Sequence, residues 1–97
     1  MRKERDFQQR LIAEIKMRFD GCMVLKTDSN YIQGLPDLLL LWNDKWAALE
    51  CKRSIDSPHR PNQDHYISKL NGMSFAAFVS PENMEVVLDD IQSAFGS

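Results

Sequence analysis

Several features are scarce in this chain of 97 residues. Cysteine occurs twice, at Cys22 and Cys51, too few for a disulfide framework and without the second pair a zinc site needs. A reducing, intracellular setting is therefore expected. No continuous apolar run exceeds the five residues of Leu38–Trp42, against roughly 20 needed to span a bilayer. No apolar stretch follows Met1-Arg2-Lys3-Glu4-Arg5-Asp6, so neither a signal peptide nor a membrane role is expected. There is no glycine-rich phosphate loop or dinucleotide fingerprint, which argues against a nucleotide or organic cofactor. Repeats, low-complexity tracts and linkers are also missing, and the length suits one domain over residues 1–97.

Basic residues are unevenly spread. All 12 Lys and Arg fall in residues 1–69, against ten acids there, and residues 70–97 carry four acids and no base. The overall net charge is −2. One end of the molecule can thus meet a polyanion while the other repels it. With 43% hydrophobic and 27% charged residues, the composition is that of a globular protein.

Apolar residues at Phe7, Leu11, Ile12, Ile15 and Phe19 predict an amphipathic helix from about Lys3, stopped by Asp20-Gly21. Cys22–Lys26 reads as a short strand. Leu38–Trp42 and Lys45–Leu49 flank Asn43-Asp44, a hairpin turn signal. The apolar run before that turn predicts a strand covered on both faces. Pro61 opens a helix over about 62–71 that Gly72 closes. Residues 74–79 form a strand, and Ser80-Pro81 caps a last helix ending near Phe95. The fold class is α/β, in the order α-β-β-β-α-β-α.

The chemistry concentrates around the hairpin. A turn centred between Asn43 and Asp44 sets Trp42 opposite Lys45 and Asp37 opposite Glu50, with side chains about 5 Å apart. Lys52 shares the face of Glu50, while Cys51 points the other way. A register slip of one residue would undo this. Two carboxylates so close repel unless a proton or cation intervenes. Mg²⁺ suits such hard oxygen ligands, and the Cys51 carbonyl is a further candidate ligand. An ion there could polarise a phosphodiester and activate water, with Lys52 orienting the water and neutralising growing charge. Read without that chemistry, Asp37 merely starts a strand, and Glu50–Lys52 is an exposed ion pair worth under about 1 kcal/mol.

Gln63 shares one helix face with Tyr66, Ile67 and Leu70, toward the core, where its amide could bond a phosphate. Glu4 and Gln8 share a face of the first helix by their i, i+4 spacing. Gly34-Leu-Pro-Asp37, the four leucines, Leu49-Glu-Cys-Lys52 and Gln63-x-x-Tyr66 before Leu70-x-Gly72 together resemble the PD-(D/E)XK nuclease superfamily. Within it they are most similar to stand-alone VRR-NUC domains, themselves similar to archaeal-type Holliday junction resolvases. The resemblance runs from Glu4-x-x-x-Gln8 through Ser80-Pro-Glu82.

That resemblance implies a restriction-endonuclease-like α-β-β-β-α-β core, a mixed sheet flanked by helices. It implies a homodimeric metal-dependent endonuclease for branched DNA, leaving a 5′-phosphate and a 3′-hydroxyl. Asp37 and Glu50 would hold Mg²⁺ or Mn²⁺, Glu4 would join them, and Lys52 and Gln63 would assist. Glu14 is the rival first-helix acid. Single-strand or flap cleavage and a non-catalytic DNA-binding module are the alternatives. Thr27–Gln33 and Arg53–Arg60 are expected to be mobile without DNA and to contact phosphates through Lys26, Arg53 and Arg60. Of the remaining residues, Cys51 is expected beneath the site, Cys22 within a strand, His59 near phosphate or solvent and His65 on the surface. Trp42 and Trp46 read as core or dimer contacts.

Overall fold

The computed structural model describes residues 4–28 and 30–96; Lys3, the expected start of the first helix, and Ser29 in the first loop lie outside them. The elements are α1 (Glu4–Arg18), β1 (Met23–Lys26), β2 (Leu38–Trp42), β3 (Lys45–Cys51), α2 (Pro61–Met73), β4 (Phe75–Val79) and α3 (Met84–Phe95). The four strands lie in sequence order; β1–β2 and β2–β3 are antiparallel, and β3–β4 is parallel. A parallel pair needs a long crossover, which α2 supplies. The result is a small mixed α/β fold.

Asn43 turns the β2–β3 hairpin with φ 58°, the left-handed geometry that Asn tolerates in a tight turn. Trp42 consequently faces Lys45 and Leu38 faces Leu49. One sheet face carries Leu38, Leu40, Ala47, Leu49 and Val79 into a core beneath α1 and α3. Leu11, Ile15, Leu40, Leu49, Leu88 and Ile91 are sealed there at 0% exposure. Close packing of such side chains, each worth about 1.5–3 kcal/mol on burial, is the main source of stability. Trp42 closes the turn end of this layer: its ring meets Phe19 edge-on at 5.3 Å and stacks with Phe95 at 6.0 Å, and its indole N–H donates to the Asp20 carbonyl.

The other face is only partly covered. α2 packs over β3 and β4, leaving Leu39, Leu41 and Trp46 around an apolar cavity of about 380 Å³. The run Leu38–Trp42 is therefore central in the sheet but fully sealed on one face alone, because α2 lies too far toward β4 to reach β1.

β3 runs two residues past the expected Leu49, to Cys51, and three further boundaries differ from expectation. α2 runs through Gly72 to Met73, because the Ser74 N–H donates to the Leu70 carbonyl and extends the last turn. Ser80 does not cap α3: Asn83 Oδ1 accepts the Ser80 N–H and its amide donates to the Phe78 carbonyl, so a turn intervenes before Met84. Cys22 stands just before β1 rather than in it, with its thiol directed at the Ile15 carbonyl.

Candidate metal centre

The end of the sheet opposite the hairpin turn gathers the ionisable residues. The β2–β3 register, continued by one residue beyond Leu38–Leu49, sets Asp37 across from Glu50. Thr27 fixes the approach to Asp37: its N–H donates to the Asp37 carbonyl at 2.9 Å and its hydroxyl to the Pro36 carbonyl at 2.6 Å. The carboxylate of Asp37 then accepts the Cys51 N–H at 2.8 Å, and this bond orients it.

Glu4, from the first turn of α1, completes the group. One carboxylate oxygen each from Glu4, Asp37 and Glu50 lie within 4.8 Å of one another. Glu14 is not in this group, so the helix contributes Glu4. The Cys51 side chain points the opposite way, fully buried, and the Gln8 side chain hydrogen-bonds its thiol. Burial foremost, with the nearby Asp37 charge, pushes that thiol up to about 12, so it stays protonated and inert as a ligand. Only its backbone carbonyl is left as a candidate.

Lys52 and Gln63 form a chain on the other flank. The Lys52 ammonium donates to Gln63 Oε1 at 2.8 Å and to the Pro58 carbonyl at 3.1 Å. Gln63 Nε2 donates to Glu50 Oε2 at 3.0 Å, while its Oε1 also accepts the Arg60 N–H at 3.0 Å. Gln63 thus links the cation to the carboxylate and pins the start of α2. The Pro58 carbonyl and the Phe78 ring, whose centroid is 5.9 Å from the ammonium, were not foreseen. Their signal is long-range and leaves no trace in local spacing.

The three acids strain against one another. Glu50 is raised from 4.5 to about 7, first by burial and then by the Asp37 charge, with Lys52 opposing. Asp37 is raised by burial against the Cys51 N–H and Lys52, and Glu4 is raised by burial and then by Asp37. All three shifts have the sign a divalent cation would reverse. The donor set fits such an ion: hard carboxylate oxygens only, held close, with no histidine or thiolate to favour zinc.

The three expected phosphate-contact residues sit near this end of the sheet. Lys26 pairs with Leu38, next to Asp37. Arg53 is close enough to act on the Glu4 charge, and Arg60 lines a polar cavity with Asp37 and Glu50. His59 is exposed, as expected for a residue meeting phosphate or solvent; its ring also stacks on Phe78 at 3.6 Å, and Nδ1 lies 3.0 Å from Asp64. Together with Ile55 N–H donating to Glu82 at 3.1 Å, this tethers the loop expected to be mobile. His65 is on the surface, edge-on to Tyr66.

Compared with known protein families the chain matches no family model, and no curated protein matches it.

Proposed function

We propose that this protein is a metal-dependent, structure-specific DNA endonuclease with a restriction-endonuclease-like core, similar to stand-alone VRR-NUC domains of the PD-(D/E)XK superfamily. The observation that carries the reading is the convergence of Glu4, Asp37 and Glu50 beside a Lys52 held by Gln63. Asp37, Glu50 and Glu4 would hold Mg²⁺, with Mn²⁺ as substitute, and the Cys51 carbonyl is the further candidate ligand. When bound, the ion supplies Lewis-acid activation of the phosphodiester and lowers the pKa of attacking water.

The chain's own residues do the rest. Lys52, fixed by Gln63 and the Pro58 carbonyl, presents a compact cation toward the developing phosphorane charge. Gln63 keeps that ammonium from collapsing onto Glu50 by standing between them. Lys26, Arg53 and Arg60 supply phosphate contacts that position the strand without reading its sequence. The reading includes a homodimer, in which two centres cut two strands of a branched substrate. What supports it is the uncovered apolar sheet face, where Met23 and Leu25 remain 58% and 40% exposed. No helix among the described residues is long and apolar enough to cross a membrane.

The test is cleavage of end-labelled four-way junction, flap, linear duplex and single strand in Mg²⁺, Mn²⁺ or chelator, with Glu50→Gln alongside. Paired cuts in the junction that require metal and vanish in Glu50→Gln are expected. Cleavage in chelator, or full activity of Glu50→Gln, would refute the metal assignment. Metal-dependent cuts confined to flaps or single strands would move the substrate and keep the centre. Junction binding without any cleavage would replace the enzyme by a DNA-binding module.

A further inference from the structure

Beside the carboxylates, the loop after β1 and the start of α2 enclose a polar cavity of about 210 Å³. Asp37 and Glu50 form one side, and Asn30, Gln33 and Asn62 form the other. We propose that this cavity takes an unpaired nucleobase next to the scissile phosphate, so that DNA with an interrupted helix at the cut is preferred over continuous duplex. This rests on the nuclease reading and adds a base-binding subsite to it.

Asp37 and Glu50 are the carboxylates that would hold the ion at the phosphodiester, so the guest of the opposite wall is set by the amides of Asn30, Gln33 and Asn62. Side-chain amides carry donors and acceptors together, the pattern that matches the Watson–Crick edge of a base. One acceptor is already short of a donor: Asn62 Oδ1 is buried and makes no hydrogen bond. A base amine could reach this acceptor only if the Asn62 amide turned toward the cavity, which a bound donor would favour. The volume is below the roughly 300–1,000 Å³ of a whole small-molecule site and suits one flat ring system.

The walls are built rather than incidental. Gly34, at φ +89°, lets the loop touch α2; a Cβ there would stand 2.7 Å from Asn62 Cγ. Asp28 shapes the same loop by accepting the Asn30 N–H on its side chain at 2.8 Å and the Tyr31 N–H on its carbonyl at 3.1 Å. Tyr31 stands on this loop between the lining residues Asn30 and Gln33; it is 82% exposed and lies outside the cavity lining, with its ring open to an incoming base. Such a ring stacks an unpaired base whatever its identity, because every base has a π-face. A paired base inside a duplex can reach neither the ring nor the amides, which is why an unpaired nucleotide is required.

The test measures affinity, separately from cleavage. Glu50→Gln protein is titrated by fluorescence anisotropy against a duplex bearing one unpaired nucleotide, with the base present or removed at that position. The base-bearing probe should bind about tenfold more tightly, within the range that stacking supplies. Adding Tyr31→Ala should cut that preference to below about twofold, and Tyr31→Phe should restore it, since the ring and not the hydroxyl stacks. Equal binding of the two probes would overturn the proposal, as would a preference surviving Tyr31→Ala combined with Gln33→Ala. If wild-type protein cleaves no DNA in Mg²⁺ while the base preference holds, the subsite stands and the nuclease reading falls.

Discussion

The two faces of β3 follow opposite logic. Ala47, Leu49 and Cys51 point into a sealed apolar core under α1 and α3, where every contact favours the folded state. Glu50, one residue from both Leu49 and Cys51, points instead at Asp37 and Glu4, and its carboxyl is raised to about 7 by burial and like charge. Three carboxylates with oxygens within 4.8 Å of one another repel. The contrast teaches that the acidic end of the sheet costs free energy which the core beneath it offsets.

The comparison can be broken most severely on the core side. Leu49→Ala, at a site with 0% exposure, should cost about 3–5 kcal/mol by lost burial and a residual cavity, read by urea denaturation. On the acidic side, Lys52→Ala should lower turnover by about 10²–10³, the scale of one preorganised donor, while DNA affinity changes little. Unchanged turnover in Lys52→Ala would remove Lys52 from the chemistry.

The pH dependence sharpens the contrast. Because Glu50 is raised on folding, the native state holds a proton that the unfolded chain has lost. Its favourable contribution is complete below pH 4.5 and disappears as pH rises through about 7. In chelator, wild-type protein should therefore lose on the order of 2 kcal/mol between pH 5 and pH 8, allowing for solvent screening of the pair. That corresponds to roughly 10 °C in melting temperature for a domain of this size. Glu50→Gln should flatten this slope, and Mg²⁺ should restore stability at pH 8 far more than at pH 5. The smallest effect belongs to the surface: Arg18, bonded to Asp89 at 2.6 Å and Glu85 at 3.0 Å, ties α1 to α3. Arg18→Ala should cost under about 1 kcal/mol, diminishing further in high salt.

Much of this arrangement is legible in the sequence, for a physical reason. Asn43-Asp44 specifies a tight turn, the turn specifies the register, and the register alone places Asp37 against Glu50. The period of α1 leads from Phe7 back to Glu4 and Gln8 on adjoining turns. What sequence spacing does not carry is bonding between distant segments. Asn83 reaching back to Phe78 delays α3, and the Leu70 carbonyl extends α2 past Gly72. The stack of His59 on Phe78 likewise joins a loop to a strand that local patterning treats separately. The uncovered face of β2 leaves no signal in the sequence, because a run of leucines looks the same whether one face or both are sealed.

The most direct measurement is calorimetric titration of Mn²⁺ into wild-type, Asp37→Asn and Glu14→Gln proteins at neutral pH. The expected result is saturable binding with proton release in the wild type, because raised carboxyls must ionise to accept the ion. Asp37→Asn should abolish it, and Glu14→Gln should leave it intact. Binding that persists in Asp37→Asn, or that depends on Glu14, would contradict a centre built from Glu4, Asp37 and Glu50.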